Sequence, residues 1–208
     1  MLNAQAGLAA GRPSGSLLHC IDPAHAAPVA PILVFGYGNP SRGDDALGPL
    51  LIERLRRLQA LGQLVGVDLL TDFQLQIEHL LDLLGRERVI FVDAALGLSA
   101  PYRLLPVETA QPQVRPEAQR APALQVQDAA KIQPEPRVLS WTSHRLTPGA
   151  LAHLFSALYG EPPQLELLAI GAEAFELGAA LSARAERNLT AAENWLRNST
   201  NQGRARRD

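Results

Sequence analysis

A chain of 208 residues, 47% hydrophobic and 19% charged, has enough apolar material for a sizeable core and too little charge for a disordered chain. Its 19 Lys plus Arg against 21 Asp plus Glu leave a formal net charge of -2, which argues against a dedicated binder of nucleic acid or anionic membrane. The single cysteine, Cys20, excludes an intrachain disulfide, a zinc site built from several thiolates and a Cys-x-x-Cys redox pair.

Residues 1–30 are rich in Ala, Gly, Pro and Ser without a sustained period and read as a flexible extension. His19, Cys20 and His25 lie in it and read as ordinary tail residues rather than a metal site. The apolar stretch at 6–10 is too short for a signal peptide and follows no basic residue. No apolar run reaches the roughly 20 residues that span a bilayer. A cytoplasmic protein in a reducing compartment is expected.

The folded part is expected over 31–197. Ile32-Leu33-Val34-Phe35 reads as a buried central strand that stops at the Gly36-Tyr37-Gly38-Asn39-Pro40 loop. Leu47, Leu51, Leu55 and Leu58 predict a helix, and Pro49 requires it to begin within a few residues of Asp45. A strand over 65–70, a helix over 75–84 closed by Gly85, and a strand over 88–92 ending at Asp93 follow. Residues 102–107 read as a fourth strand at an edge. Five prolines between 108 and 136 predict a surface insertion. A strand over 138–141 leads to Ser143-His144; then come a helix over 148–159, a strand over 165–170 and a helix over 182–197 with Ser182 as N-cap. Residues 198–208 read as a polar, fraying tail. This alternation predicts an α/β fold: a three-layer α/β/α sandwich with a twisted, mostly parallel sheet of about five strands and helices on both faces. Sites in such sheets form beyond the carboxyl ends of the strands, which directs attention to residues 36–45, 68–72, Asp93 and His144.

The loop from Gly36 to Asp45 departs from nucleotide-binding patterns. Ser41 stands where the dinucleotide fingerprint needs its third Gly, and Asp44 follows Gly43 where a phosphate loop has Lys. Asp44 and Asp45 would also repel a diphosphate at a helix N-terminus. A dinucleotide-binding oxidoreductase remains as the rival reading, kept open by Asp68 or Asp72 near the end of the second strand. The two aspartates admit a second reading as helix caps. Asp93 ends an uncharged strand on the same edge, where a carboxylate needs a partner: a metal ion, a substrate, or backbone N–H groups near Ala94 and Ala95. His144 adds an imidazole after a later strand. Asp45, Asp93 and His144 together suit an open, oxygen-rich site for a borderline divalent ion, one that holds metal weakly without thiolates. No Gly-x-Ser-x-Gly elbow or His-Glu-x-x-His helix is present. Ser143 is poorly placed beside His144, and Glu78 and His79 diverge on their helix.

Taken in order, Gly36-Tyr37-Gly38-Asn39-Pro40 through Asp44-Asp45-Ala46-Leu47-Gly48, Gln74-Leu75 with Glu78, Val89 to Ala94, Ser143-His144 with Leu146, residues 167–171, Glu176-Leu177 and Leu181-Ser182 resemble the hydrogenase maturation proteases. These endopeptidases trim the C-terminus of the [NiFe]-hydrogenase large subunit. The resemblance runs from about residue 32 to 196, the Pro-rich insertion excepted. It implies a five-stranded sheet between helices and a metal-contacting set of Asp45, Asp93 and His144, with Gly36, Gly38, Asn39, Gly43 and Asp44 shaping the loop. Some relatives carry Glu where Asp45 stands.

It further implies that the partner is the large-subunit precursor and that the nickel is supplied by that subunit, with no organic cofactor. Cleavage would then wait on nickel insertion. The metal, or Asp45 or Asp93 as general base, would activate water; the sequence leaves these roles open. The Gly-Asn-Pro loop resembles members that serve soluble, NAD-linked hydrogenases. A monomer is expected. A non-enzymatic nickel chaperone that docks on the same subunit is a further rival.

Overall fold

The computed structural model describes residues 29–108 and 146–204, with side chains through Thr200. The 1–28 extension, the insertion beyond Glu108, the strand expected over 138–141 and Ser143-His144 lie outside the described residues.

Among the described residues five strands form one sheet: β1 (Ile32–Tyr37), β2 (Val67–Asp72), β3 (Arg88–Leu96), β4 (Tyr102–Pro106) and β5 (Gln164–Ala172). Their order is β2-β1-β3-β5-β4. The first four strands in that order run parallel, and β4 closes the edge antiparallel to β5. This is the expected α/β fold, with the fourth strand at the expected edge.

The strands are apolar on both faces because both faces are covered. Val34, Ile90, Val92, Leu168 and Ile170 pack with residues of helices α1 (Leu47–Ala60) and α3 (Ala183–Arg204). Their alternates Leu33, Phe35, Val89, Phe91 and Leu165 pack with α2 (Pro148–Tyr159) and a 3-10 helix, Ile77–Leu83. Pro49 falls in the first turn of α1, where its missing N–H is harmless. Thr147 caps α2 through Ala150 N–H, and Ser182 caps α3 through Ala185 N–H.

Several expected boundaries move: β1 runs on to Tyr37 instead of stopping at Phe35, and β5 spans Gln164–Ala172 rather than 165–170. The second helix is a 3-10 helix over Ile77–Leu83 rather than an α-helix over 75–84. It belongs to a short crossover between β2 and β3, and seven residues span about 14 Å as 3-10 helix against about 10 Å as α-helix. The second strand is Val67–Asp72, so Asp68 lies inside it and Asp72 ends it. β3 continues through Asp93 to Leu96 because β5 supplies partners that far, pairing Asp93 with Ala169 and Leu96 with Ala172. The last helix runs on to Arg204 instead of stopping at Arg197.

The contact that places α1 over the sheet uses two glycines. A Cβ on Gly36 would stand 2.3 Å from the Gly48 carbonyl oxygen, and one on Gly48 would stand 2.4 Å from that of Tyr37. With neither side chain present, the first turn of α1 rests directly on the end of β1.

Candidate functional site at the carboxyl edge of the sheet

The chain leaves β1 at Tyr37 and folds into a tight loop before the 3-10 turn Gly43–Ala46 that feeds α1. Asn39 organises this loop: its side-chain Oδ1 accepts from Ser41 N–H at 2.9 Å, and its carbonyl accepts from Arg42 N–H at 3.0 Å. Gly38 has φ +145, and a Cβ there would lie 2.0 Å from the Asp45 carbonyl oxygen. The close approach that this glycine permits is therefore made by the chain itself. Gly43, with φ +50, likewise makes room for the carbonyl of Ala174, which accepts from Asp44 N–H at 2.7 Å.

The two adjacent aspartates have different roles. Asp44 is fully buried. Its carboxylate accepts from the backbone N–H groups of Glu173 (2.8 Å), Ala174 (3.1 Å) and Ser182 (2.7 Å), and from the Ser182 hydroxyl (2.9 Å). Burial by itself pushes the Asp44 carboxyl up; the hydrogen bonds from Ser182, Glu173 and Ala174 outweigh it and hold the group below its ordinary value. Asp44 is thus a cap, but of the segment that joins β5 to α3 rather than of its own helix. Among the described residues, Asp45, 9% exposed, receives one side-chain hydrogen bond, from Asn39 N–H to Oδ2 at 3.1 Å.

Asp93 is half-buried on β3, and its Oδ1 accepts from Ala94 N–H at 2.8 Å. The β1–β3 register ends with Gly36 opposite Val92, and Tyr37 and Asp93 are the next residues of their two strands. Tyr37 in turn pairs with Asp72 of β2. Asp72 and Tyr37 thus lie at the carboxyl edge of the sheet, with Asp93 just past the last β1–β3 pair. The 3-10 turn that carries Asp45 packs against β3 at the same edge. Asp45 and Asp93 therefore share the carboxyl edge; His144 lies outside the described residues. Among the described residues no three His, Cys, Asp or Glu side chains are grouped as a metal site.

His79, set aside in the sequence because it diverges from Glu78, lies beside Asp72 at this edge. His79 is 9% exposed and meets Phe35 edge-to-face with ring centroids 4.6 Å apart. Its Nδ1 accepts from Gln76 N–H at 2.9 Å, and its Nε2 lies 3.3 Å from Asp72 Oδ2. The signal was present as Gln76 and His79 three residues apart at a helix start. Glu78, its neighbour, is exposed, so the two do diverge.

The fold resembles several solved hydrogenase maturation proteases. HycI from Thermococcus kodakarensis superposes with a TM-score of 0.52 at 16% identity, covering 83% of this chain and 93% of that one. HybD from Escherichia coli gives 0.53 at 21% identity with the same coverage, and HycI from Escherichia coli gives 0.53 at 16% identity over 80% and 89%. No family model matches the sequence, and no curated protein sequence matches it significantly. At these identities the likeness is one of fold: the chain has the architecture of the hydrogenase maturation endopeptidases.

Proposed function

We propose that this protein is an endopeptidase that removes the C-terminal extension of the [NiFe]-hydrogenase large-subunit precursor once nickel has been inserted. The observation that carries the proposal is the division between the two adjacent aspartates. Asp44 commits its carboxylate to four donors of the fold, while Asp45 takes one among the described residues, beside the strand that carries Asp93. The fold likeness to hydrogenase maturation proteases and the order of the sequence motifs support the same reading.

Asp45, Asp93 and His144 contact the open positions of a nickel ion held by the precursor's own cysteines. Recognition of the loaded subunit then needs no thiolate from this chain. Water attacks the scissile carbonyl carbon, and its proton passes to Asp45 or Asp93 as general base. The leaving amine takes up a proton as the peptide is released. The Gly-Asn-Pro loop favours the branch that serves soluble, NAD-linked hydrogenases, and a cytoplasmic monomer fits that task.

The dinucleotide reading is less well supported, because the close approach at Gly38 is taken by Asp45. Purified protein mixed with nickel-loaded and nickel-free precursor tests the proposal by subunit mass. Loss of a C-terminal peptide from the loaded form alone is expected. Nickel binding without peptide release would favour a chaperone, and tight NAD(P) binding would favour the oxidoreductase. Processing that survives Asp45→Ala, Asp93→Ala and His144→Ala would overturn the site assignment.

A further inference from the structure

His79 is a buried titratable group that the proposed cleavage does not use. A histidine whose Nδ1 accepts from a backbone N–H carries its proton on Nε2 when neutral, and that nitrogen faces Asp72 Oδ2 at 3.3 Å. The same ring lies edge-on against Phe35, two residues before the end of β1. His79 therefore touches both strands whose ends define the Gly38 loop. Asp72 is held from three sides. Phe73 N–H donates to its Oδ1, Gln76 Nε2 approaches its Oδ2, and its carbonyl accepts from Gly38 N–H at 3.2 Å. The next residue, Asn39, donates its N–H to Asp45 Oδ2. A continuous path of contacts thus runs from His79 through Asp72, Gly38 and Asn39 to the Asp45 carboxylate.

We propose that His79 and Asp72 form a positioning pair: they pin the end of β2 against the end of β1, and so fix the two successive amides, Gly38 and Asn39, that aim Asp45 into the site. Neither residue touches substrate. The inference rests on the cleavage reading for its activity arm only. Site geometry of this kind must hold to within a fraction of an ångström, and loss of a supporting contact costs about 10- to 100-fold in rate.

The test compares His79→Gln, His79→Leu and Asp72→Ala in the full chain. Gln retains an acceptor and a donor; Leu fills the space against Phe35 without either. Amide hydrogen exchange at Gly38 and Asn39, read by NMR, is the first measurement. Faster exchange is expected in His79→Leu and Asp72→Ala, with near-native protection in His79→Gln. Kinetics on nickel-loaded precursor are the second. A kcat lower by about 10-fold or more in the Leu and Ala variants, with KM within about threefold and recovery in the Gln variant, is expected.

A His79 that only fills the core would reverse the order, with Leu tolerated and Gln not, and that result overturns the pairing. Unchanged exchange at Gly38 and Asn39 in folded His79→Leu overturns it as well. Wild-type protein that cleaves no precursor counts against the proposed function alone, since the exchange measurement still decides the role of His79.

Discussion

Asp44 and Asp45 stand one peptide unit apart, yet substitutions at them should separate stability from activity. Asp44→Ala leaves the part-buried N–H groups of Glu173, Ala174 and Ser182 without their acceptor, and a fully buried unpaired donor costs about 1–3 kcal/mol. Part of that is recovered by relaxation and water, so a loss of about 3 kcal/mol is expected, read as a lower urea midpoint at constant slope. Asp45→Asn keeps the size of the side chain and should change stability by less than about 1 kcal/mol. It should nevertheless abolish precursor processing in the mass assay.

Asp44 also sets an acid limit. Its folded pKa lies below the ordinary 3.8, so its stabilisation is complete above that value and is lost as pH falls through the folded pKa. Thermal melting followed downward from pH 6 should therefore steepen below about 3.8 in the wild type. Asp44→Asn, although less stable at neutral pH, should show a shallower acid limb.

At the scale of elements, the seat of α1 depends on the Gly36–Gly48 contact. Gly36→Ala sets a Cβ 2.3 Å from a backbone oxygen and 2.7 Å from Ile52 Cγ1. Neither the strand nor the first helical turn yields easily, and overpacking of this kind costs about 1–3 kcal/mol. The expected result is a lower melting temperature with reduced processing, because the 3-10 turn that carries Asp45 leads directly into α1.

Most elements could be read from residues 32–107 and 146–197 because each strand of a covered parallel sheet is a short apolar run and each helix an apolar stripe. The 3-10 helix over Ile77–Leu83 could not, since its apolar spacing is also compatible with an α-helix and only the length of the crossover distinguishes them. The end of β3 was hidden for a related reason. A charge at Asp93 looks like a strand end until β5 is seen to continue beside it.

For the molecule as a whole, Ala30 and Pro31 tie the first described residues to the fold. The Ala30 carbonyl accepts from Arg86 Nη1 at 2.7 Å, and the Pro31 carbonyl accepts from Glu87 N–H at 2.8 Å and Arg88 N–H at 3.1 Å. A deletion of residues 1–28 stops short of these anchors. The truncated protein should melt within a few degrees of the full chain and process precursor at the full rate. A folded truncation that fails to cleave would assign the extension a role in substrate choice. Across the opposite layer, Arg54 of α1 meets Glu186 and Glu193 of α3 at partly exposed positions, where ion pairs contribute little beyond the packing beneath them.

Local pattern alone determined that this is an α/β chain, where its turns fall and which loop carries paired carboxylates, because periodicity and turn chemistry are written within a few residues of one another. Tertiary structure decided the strand order, the antiparallel edge and the different duties of Asp44 and Asp45. The donors that occupy Asp44 come from positions 129 to 138 residues away. No local spacing encodes such partners; they meet only when β5 and α3 close over the end of β1.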